Sequence, residues 1–365
     1  LEDAIDLVSA LAIGKPLFLR DAPMGEGLRE GNCDATALIR LVRLRGHADG
    51  VAFSTLEEAR RVRARLRRAH DLPERSERTD IDREGLIRTA IAADPRCAHV
   101  SRVRGRSVAY SNGGTERELA RESLVGSGTK VPDAIVVFES RAFGQGQDMR
   151  VLVTCASPTT FTTLARAGLG RDVIESVHLE RSRIVSTLAR TYAKKVIATR
   201  EDVPTGELAR DAIATLFLRG SLWKDASKES AARITLSALA VSLGHAAELD
   251  PAMREAPTLD AFVRMRLETL GIEHADDLAL LSPSDLLAPD VPFHIKSGLE
   301  RDYPRTLALG DATYEVTYDL EARRVTLTLV RGRPEPPKLN YLPPFKGFGI
   351  VVSTPRGMTV LRARG

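Results

Sequence analysis

Cysteine is scarce in this chain of 365 residues: Cys33, Cys97 and Cys155 are the only three, roughly sixty positions apart. An odd count at that spacing excludes C-x-x-C metal or redox pairs and leaves them as small buried or half-buried hydrophobes of a cytoplasmic protein. The seven histidines occur singly. No H-E-x-x-H run and no G-x-S-x-G elbow is present, so neither a zinc-protease site nor a hydrolase nucleophile is legible. No apolar stretch approaches the roughly 18 residues that a membrane helix needs, so a soluble protein with no membrane partner is expected. The first residue is Leu1, and no cationic region or small-residue cleavage site of a signal peptide comes after it. The chain is therefore expected to be a piece of something longer.

A phosphate loop is also missing. The stretch LVGSGTKVPDAIVVFES (124–140) has the glycines and the lysine. However, Thr129 separates Gly128 from Lys130, no Ser or Thr follows the lysine to hold magnesium, and Pro132 comes next. A Walker loop must open a helix, whereas AIVVFES is β-branched and aromatic and predicts a strand. GSGTK reads as a connector.

What is present is an ordinary globular composition, 43% hydrophobic and 28% charged, with length for two or three domains at about 150 residues each. The charges are segregated. The formal balance is 0 over residues 1–97, +7 over 98–200, −9 over 201–330 and +6 over 331–365. Two basic segments around an acidic one point to a polyanionic partner for the basic pieces.

Residues 1–97 read as helices: EDAIDLVSALAIG, NCDATALIRLVRLRG capped by Asn32 or Asp34, STLEEARRVRARLRRAHDL, and DREGLIRTAIAAD. In the third, Ser54 with Glu57 predicts a capping box, Pro73 closes the helix, and Ala59, Val62, Leu66 and Ala69 form an apolar stripe. Its arginines, among them Arg61, Arg65 and Arg68, fit either a solvated face or direct phosphate contact. From Ala98 the period changes to two. HVSRVRGRSVAYSNGGT ends in the tight-turn signal Asn112-Gly113; AIVVFES, MRVLVTCAS, a short helix PTTFTTLARAGL and two or three more strands come after it. Strands, a helix between the third and fourth, and further strands predict an OB-like β-barrel over 98–202, a fold often used for single-stranded nucleic acid.

Residues 203–300 return to helices, including DDLALLSPSDLLA. Residues 301–365 predict a small C-terminal β domain with a basic tail, in which TLALGD, TYEVTYDL and RRVTLTLVRG form a meander. Among the lysines of that tail, Lys338 and Lys346, stand Phe345 and Phe348. Basic plus aromatic residues can stack on and neutralise nucleic acid, and they can equally dock the tail on the protein. The expected fold class is thus multidomain α+β.

Several stretches resemble the C-terminal, non-motor half of the HrpB family of DExH-box ATP-dependent helicases. GNCDATALIRLVR and DGVAFS are similar to the end of that family's helical ratchet-like region, and RGRSVAYSNGGTERELARES to its strand, Asn-Gly turn and strand. VHLERSRIVSTLARTYAKKVIATREDVPTGELARDAIATLFLRGSLW, ending at Trp223, is the nearest stretch, and YPRTLALGDATYEVTYD resembles the family's C-terminal β element. The chain departs at its end, where PPKLNYLPPFKGFGIVV replaces the family's Trp- and Tyr-rich basic motif. The resemblance implies an accessory region, ratchet-like over 1–97, that grips single-stranded nucleic acid, RNA above DNA, beside RecA-like motor domains. ATP and magnesium would belong to those absent domains, with no cofactor, metal or catalytic residue here. It implies phosphate contacts from Arg102, Arg104 and Arg106 on the first strand, Arg141 and Arg150 around the glycine-rich turn FGQGQD (143–148), and Arg181, Arg183, Lys194 and Lys195 on the later strands. The other reading is a protein-interaction module that docks on the motor or another partner. No nucleophile–base–acid set supports an independent enzyme.

Overall fold

Apolar residues three and four apart make the first hundred residues of the computed structural model helical. Its described residues are all but 20–25, 47–48, 77, 79, 106, 128–129, 145–148, 256–257 and 364–365. The helices are α1 (Glu2–Leu11), α2 (Glu26–Arg29), α3 (Asp34–Arg43), α4 (Phe53–Ala69) and α5 (Arg83–Ala93). Leu7, Leu38, Ile39, Leu41, Leu56 and Ala59 close their common core; each buried Leu or Ile contributes about 1.5–3 kcal/mol.

The ends and inner face of α4 differ from the sequence reading. It begins at Phe53 behind Ala52 with no side-chain cap, so Ser54 and Glu57 form no capping box, and it stops at Ala69 before Pro73. Its buried residues are Thr55, Leu56, Ala59 and Arg67, while Ala69 is exposed. The face has rotated toward charge because α1 presents a wholly buried Asp6, which needs cations. Asp6 accepts from Arg67 (2.8 Å), Arg63 (2.8 Å) and Arg43 (2.7 Å). Burial alone would raise the Asp6 carboxyl; the three guanidiniums outweigh it and hold the pKa below the usual value. Neither Asn32 nor Asp34 caps α3, whose N-cap is Cys33.

The next five elements are strands: β1 (Ala98–Arg104), β2 (Ser107–Ser111), β3 (Glu116–Leu119), β4 (Ala134–Phe143) and β5 (Arg150–Thr159). They close a barrel in the order β1-β2-β3-β5-β4, with β3 and β5 parallel and the other pairs antiparallel. Tyr110, Ile135, Val153 and Ala156 fill part of it. At the predicted turn, Asn112 Oδ1 accepts from the Gly114 and Thr115 amides at 3.0 and 2.8 Å, an Asx turn that leaves φ at +93° for Gly113. Gly128 and Thr129 of GSGTK lie outside the described residues, and the chain from Ala134 onward is a strand, as predicted for AIVVFES.

The short helix α6 (Phe161–Arg166), capped by Thr160, comes after the fifth barrel strand, not between the third and fourth. Among the described residues between those two, the helical element is a 3-10 turn, Leu124–Ser127. The remaining strands, β6 (Arg171–Glu180), β7 (Arg183–Tyr192) and β8 (Lys195–Asp202), make a separate three-stranded sheet. The barrel is therefore complete by Thr159, because parallel β3–β5 pairing uses the last free edge.

The chain divides into two compact units, Leu1–Val173 with Leu188–Arg200, and Ile174–Thr187 with Glu201–Gly365. The second holds α7 (Glu207–Leu218), α8 (Lys224–Ser242), α9 (Pro251–Glu255), α10 (Leu259–Thr269) and α11 (Phe293–Asp302). DDLALLSPSDLLA is not a helix but two 3-10 turns, Ala275–Leu280 and Pro283–Leu286. Pro283 has no amide hydrogen to continue the first, and Ser282 with Asp285 caps the second. A sheet of β9 (Thr306–Leu309), β10 (Ala312–Asp319), β11 (Arg324–Arg331), β12 (Gly349–Thr354) and β13 (Gly357–Arg362) completes the unit in the order β13-β12-β11-β10-β9. The molecule is thus mixed α+β. Among the described residues no helix is long and apolar enough to cross a membrane.

Candidate nucleic-acid interface

Arg102 and Arg104 lie in the second half of β1, where burial gives way to exposure, and they have different partners. Arg104 is 72% exposed and pairs with Glu116 at 3.0 Å. Arg102 is half-buried, and its Nη2 donates to the backbone oxygen of Ala193. Ala193 and Lys194 form the two-residue turn from β7 to β8, with φ of +46° and +62°, the paired positive values of a type I′ hairpin.

The same turn lies against Asn112-Gly113: a Cβ built on Gly113 would stand 3.5 Å from Ala193 Cα. Asn112 Nδ2 donates to Arg96 O at 2.9 Å. The backbone at Arg96 and the side chain of Arg102 thereby lie beside the turn that leads into Lys194 and Lys195. Lys194 and Lys195 are exposed and form no ion pair among the described residues, whereas Arg96 is shared with Asp94 at 2.9 Å. Next to this site Asp172 receives both Arg190 (2.8 Å) and Arg200 (2.9 Å). Arg190's hydrogen bonds, with Arg200's, take the Asp172 pKa down to about 2 against the opposing effect of burial.

The other expected residues are dispersed. Arg150 is exposed in a shallow cleft of about 320 Å³ with Glu116, Arg117 and Glu118, where the acids offset the bases. Arg141 is bound to Glu139 at 2.9 Å, and Glu139 also accepts from Thr154 at 2.6 Å. Both line an apolar cavity of about 400 Å³ with Phe18, Phe143 and Asp34. Arg106 and residues 145–148 of the glycine-rich turn FGQGQD lie outside the described residues. Arg181 and Arg183 are exposed at the β6–β7 turn, the opposite end of β7 from Lys194 and Lys195, so the four do not share one turn. On α4, Arg61 and Arg65 are exposed and Arg68 pairs with Glu74 at 3.4 Å.

No protein-family model matches the chain, and no curated protein matches it. Among solved structures it is similar to the Escherichia coli DExH-box NTPase HrpB, at 13% identity and a TM-score of 0.35 over 99% of this chain and 41% of that one. It is likewise similar to the Escherichia coli DEAH/RHA helicase HrpB, at 12% and 0.34 over 100% and 42%. The chain spans about two fifths of the length of those structures.

Lys338 and Lys346 are exposed, but the tail aromatics are not. Phe345 is 0% and Phe348 3% exposed. Both pack with Tyr303 and Tyr318, the Phe348 ring centroid at 5.9 and 6.1 Å from theirs. They are core residues and offer no stacking platform. The segment that carries them must cross from β11 to its parallel neighbour β12, and burying these rings anchors that crossing.

Arg96, Arg117 and Asp34 were not foreseen as parts of a site. Asp34 is buried, and its carboxylate accepts from Leu124 N (2.7 Å), Ser123 Oγ (2.8 Å) and Ala156 N (3.0 Å). It joins α3 to the barrel, which explains why it does not cap its own helix. Burial pushes its pKa up to about 6 in spite of those three donors.

Proposed function

We propose that the chain is a nucleic-acid-binding accessory region of an ATP-dependent helicase of the HrpB type. In this reading the barrel is OB-like, and it holds single-stranded RNA beside RecA-like motor domains that lie outside the chain. ATP and magnesium act in those domains and not here, and the setting is the cytoplasm. The helicase assignment draws on the sequence stretches that resemble that family.

The observation that carries nucleic-acid binding is the Arg102–Ala193 bond. It sets two exposed lysines, Lys194 and Lys195, with no ion pair among the described residues, beside the closed barrel and the Asn112-Gly113 turn. Cations held on rigid hairpins beside a barrel suit a phosphate backbone, since a positively charged groove that tracks the strand is how such barrels bind without reading sequence. The test is fluorescence anisotropy with a single-stranded RNA of about 15 nucleotides, near the upper site size of one such barrel. Lys194→Ala with Lys195→Ala is expected to weaken binding about tenfold at low salt; equal affinity would remove this surface from the proposal.

A second reading has its own observation. On the edge strand β13, Met358 and Val360 are 69% and 66% exposed, side by side on one face. An open strand edge with apolar residues suits a protein partner. Such a partner would bind with little salt dependence, whereas phosphate binding falls steeply with salt.

A further inference from the structure

Where α3 ends and α4 passes it, the first unit has a cleft of about 430 Å³ whose wall includes five arginines, Arg43, Arg45, Arg60, Arg63 and Arg75, and one acid, Glu74. We infer that this cleft is a binding site for a phosphate-bearing anion, separate from the barrel surface proposed above.

The end of α3 should repel an anion, because its last carbonyls carry the negative end of the helix dipole. Three carbonyls at that end are covered. Arg63 Nη1 donates to Val42 O at 3.2 Å, and Arg60 Nη2 donates to Leu44 O and, at 3.1 Å, to Gly46 O. These bonds cover three backbone acceptors of the cleft, and its remaining wall is mostly guanidinium donors, with the Glu74 carboxylate as the one acid. Arg43, Arg60 and Arg63 are held in place by Asp3, Asp6 and Glu57, so their planes are fixed before any ligand arrives. Glu74 is shared with Arg68.

Two observations show donor capacity that the fold does not use. Arg45 and Arg75 are exposed and have no carboxylate partner among the described residues. The Nη1 of Arg43 is buried and has no acceptor among the described residues, although its Nε and Nη2 are both bonded. The charges of Arg43, Arg60 and Arg63 are matched by their carboxylates, so the uncompensated charge of this concave wall is that of Arg45 and Arg75, and a concave wall focuses the potential that attracts an anion. Guanidinium is the group whose forked donors match phosphate oxygens in pairs. A phosphate offers more acceptors and charge than a carboxylate, and the volume admits a diphosphate.

Two sources could present that group: a free diphosphate, or the 5′-phosphate of an RNA. Isothermal titration of the intact chain with inorganic pyrophosphate at low salt, beside binding of one RNA sequence with a 5′-phosphate and with a 5′-hydroxyl, separates them. Arg45→Ala with Arg75→Ala removes two exposed side chains, and circular dichroism with the melting temperature checks that the fold is kept. The expected result is pyrophosphate binding that weakens about tenfold or more in the double variant. A preference for 5′-phosphorylated RNA that this variant abolishes would assign the polymer end as ligand. Equal binding of the two RNAs with pyrophosphate still bound would assign the free anion. Failure to bind pyrophosphate and to discriminate the two RNAs, or equal affinities in the folded double variant, would overturn the site. Lys194→Ala with Lys195→Ala leaves this cleft intact, so failure of the barrel interface and failure of the cleft are read separately.

Discussion

Arg102 on β1 donates to the backbone oxygen of Ala193, and that bond ties the first barrel strand to the turn that carries Lys194 and Lys195. On the proposed reading, that bond gives Arg102 the part of positioning the lysines. Arg102→Ala should weaken RNA binding several-fold by loosening the turn. Once Lys194 and Lys195 are alanine, the same change should add little, because coupled residues do not add. A double-mutant cycle by anisotropy checks this; full additivity would make Arg102 an independent contact.

The buried ion cluster sets stability in the helical part. Removing one partner of a wholly buried pair leaves an uncompensated charge, so Arg67→Ala should cost about 3–5 kcal/mol in urea unfolding. Arg68→Ala, at an exposed pair on the same helix, should cost less than about 1 kcal/mol. Similar costs for the two would mean that Asp6 is satisfied by Arg43 and Arg63 alone.

Asp34 gives a pH signature with a definite sign. Its folded pKa is raised to about 6 from 3.8, so the folded protein holds this proton more tightly than the unfolded chain does. The stabilisation from its proton is complete below about pH 4 and is lost as pH rises through about 6, a change of about 3 kcal/mol. Asp6 and Asp172, whose pKa values are lowered, act in the opposite sense, losing stability at acid pH. The comparison that isolates Asp34 is therefore wild type minus Asp34→Asn, by urea unfolding from pH 4 to 7. The difference should fall across that window, and a constant difference would mean an ordinary carboxyl.

Phe345→Ala should destabilise the second unit by about 3–5 kcal/mol, the cost of emptying an aromatic site in a packed core. RNA affinity of the folded variant should be unchanged. A specific loss of RNA binding without loss of stability would return Phe345 to the role of a stacking residue.

Much of the local structure was legible in the sequence. The helical period before Ala98, the alternation after it and the Asn112-Gly113 turn are short-range signals, and each produced its element. What stayed hidden was fixed at long range. Arg67 reads as a surface residue because its counter-charge, Asp6, is 61 positions away. Asp34 reads as a helix cap because its three donors lie about ninety to 120 positions on. Phe345 and Phe348 looked like a basic-aromatic surface because the parallel β11–β12 crossing that buries them has no local mark. The charge balance over 98–200 marked the segment of the barrel and of the Lys194–Lys195 turn, but it could not show that Arg141 and Arg104 are each held by a neighbouring glutamate.

The most direct test of nucleic-acid binding is the salt dependence of the affinity of the intact chain for a single-stranded RNA of about 15 nucleotides. Phosphate contact by several cations predicts that log affinity falls linearly with log salt, by about 0.7 for each phosphate neutralised, and that Lys194→Ala with Lys195→Ala lowers the slope by about 1.4. A flat salt profile, or no binding at low salt, would contradict nucleic-acid binding and leave the apolar edge at β13 as the place to look for a protein partner.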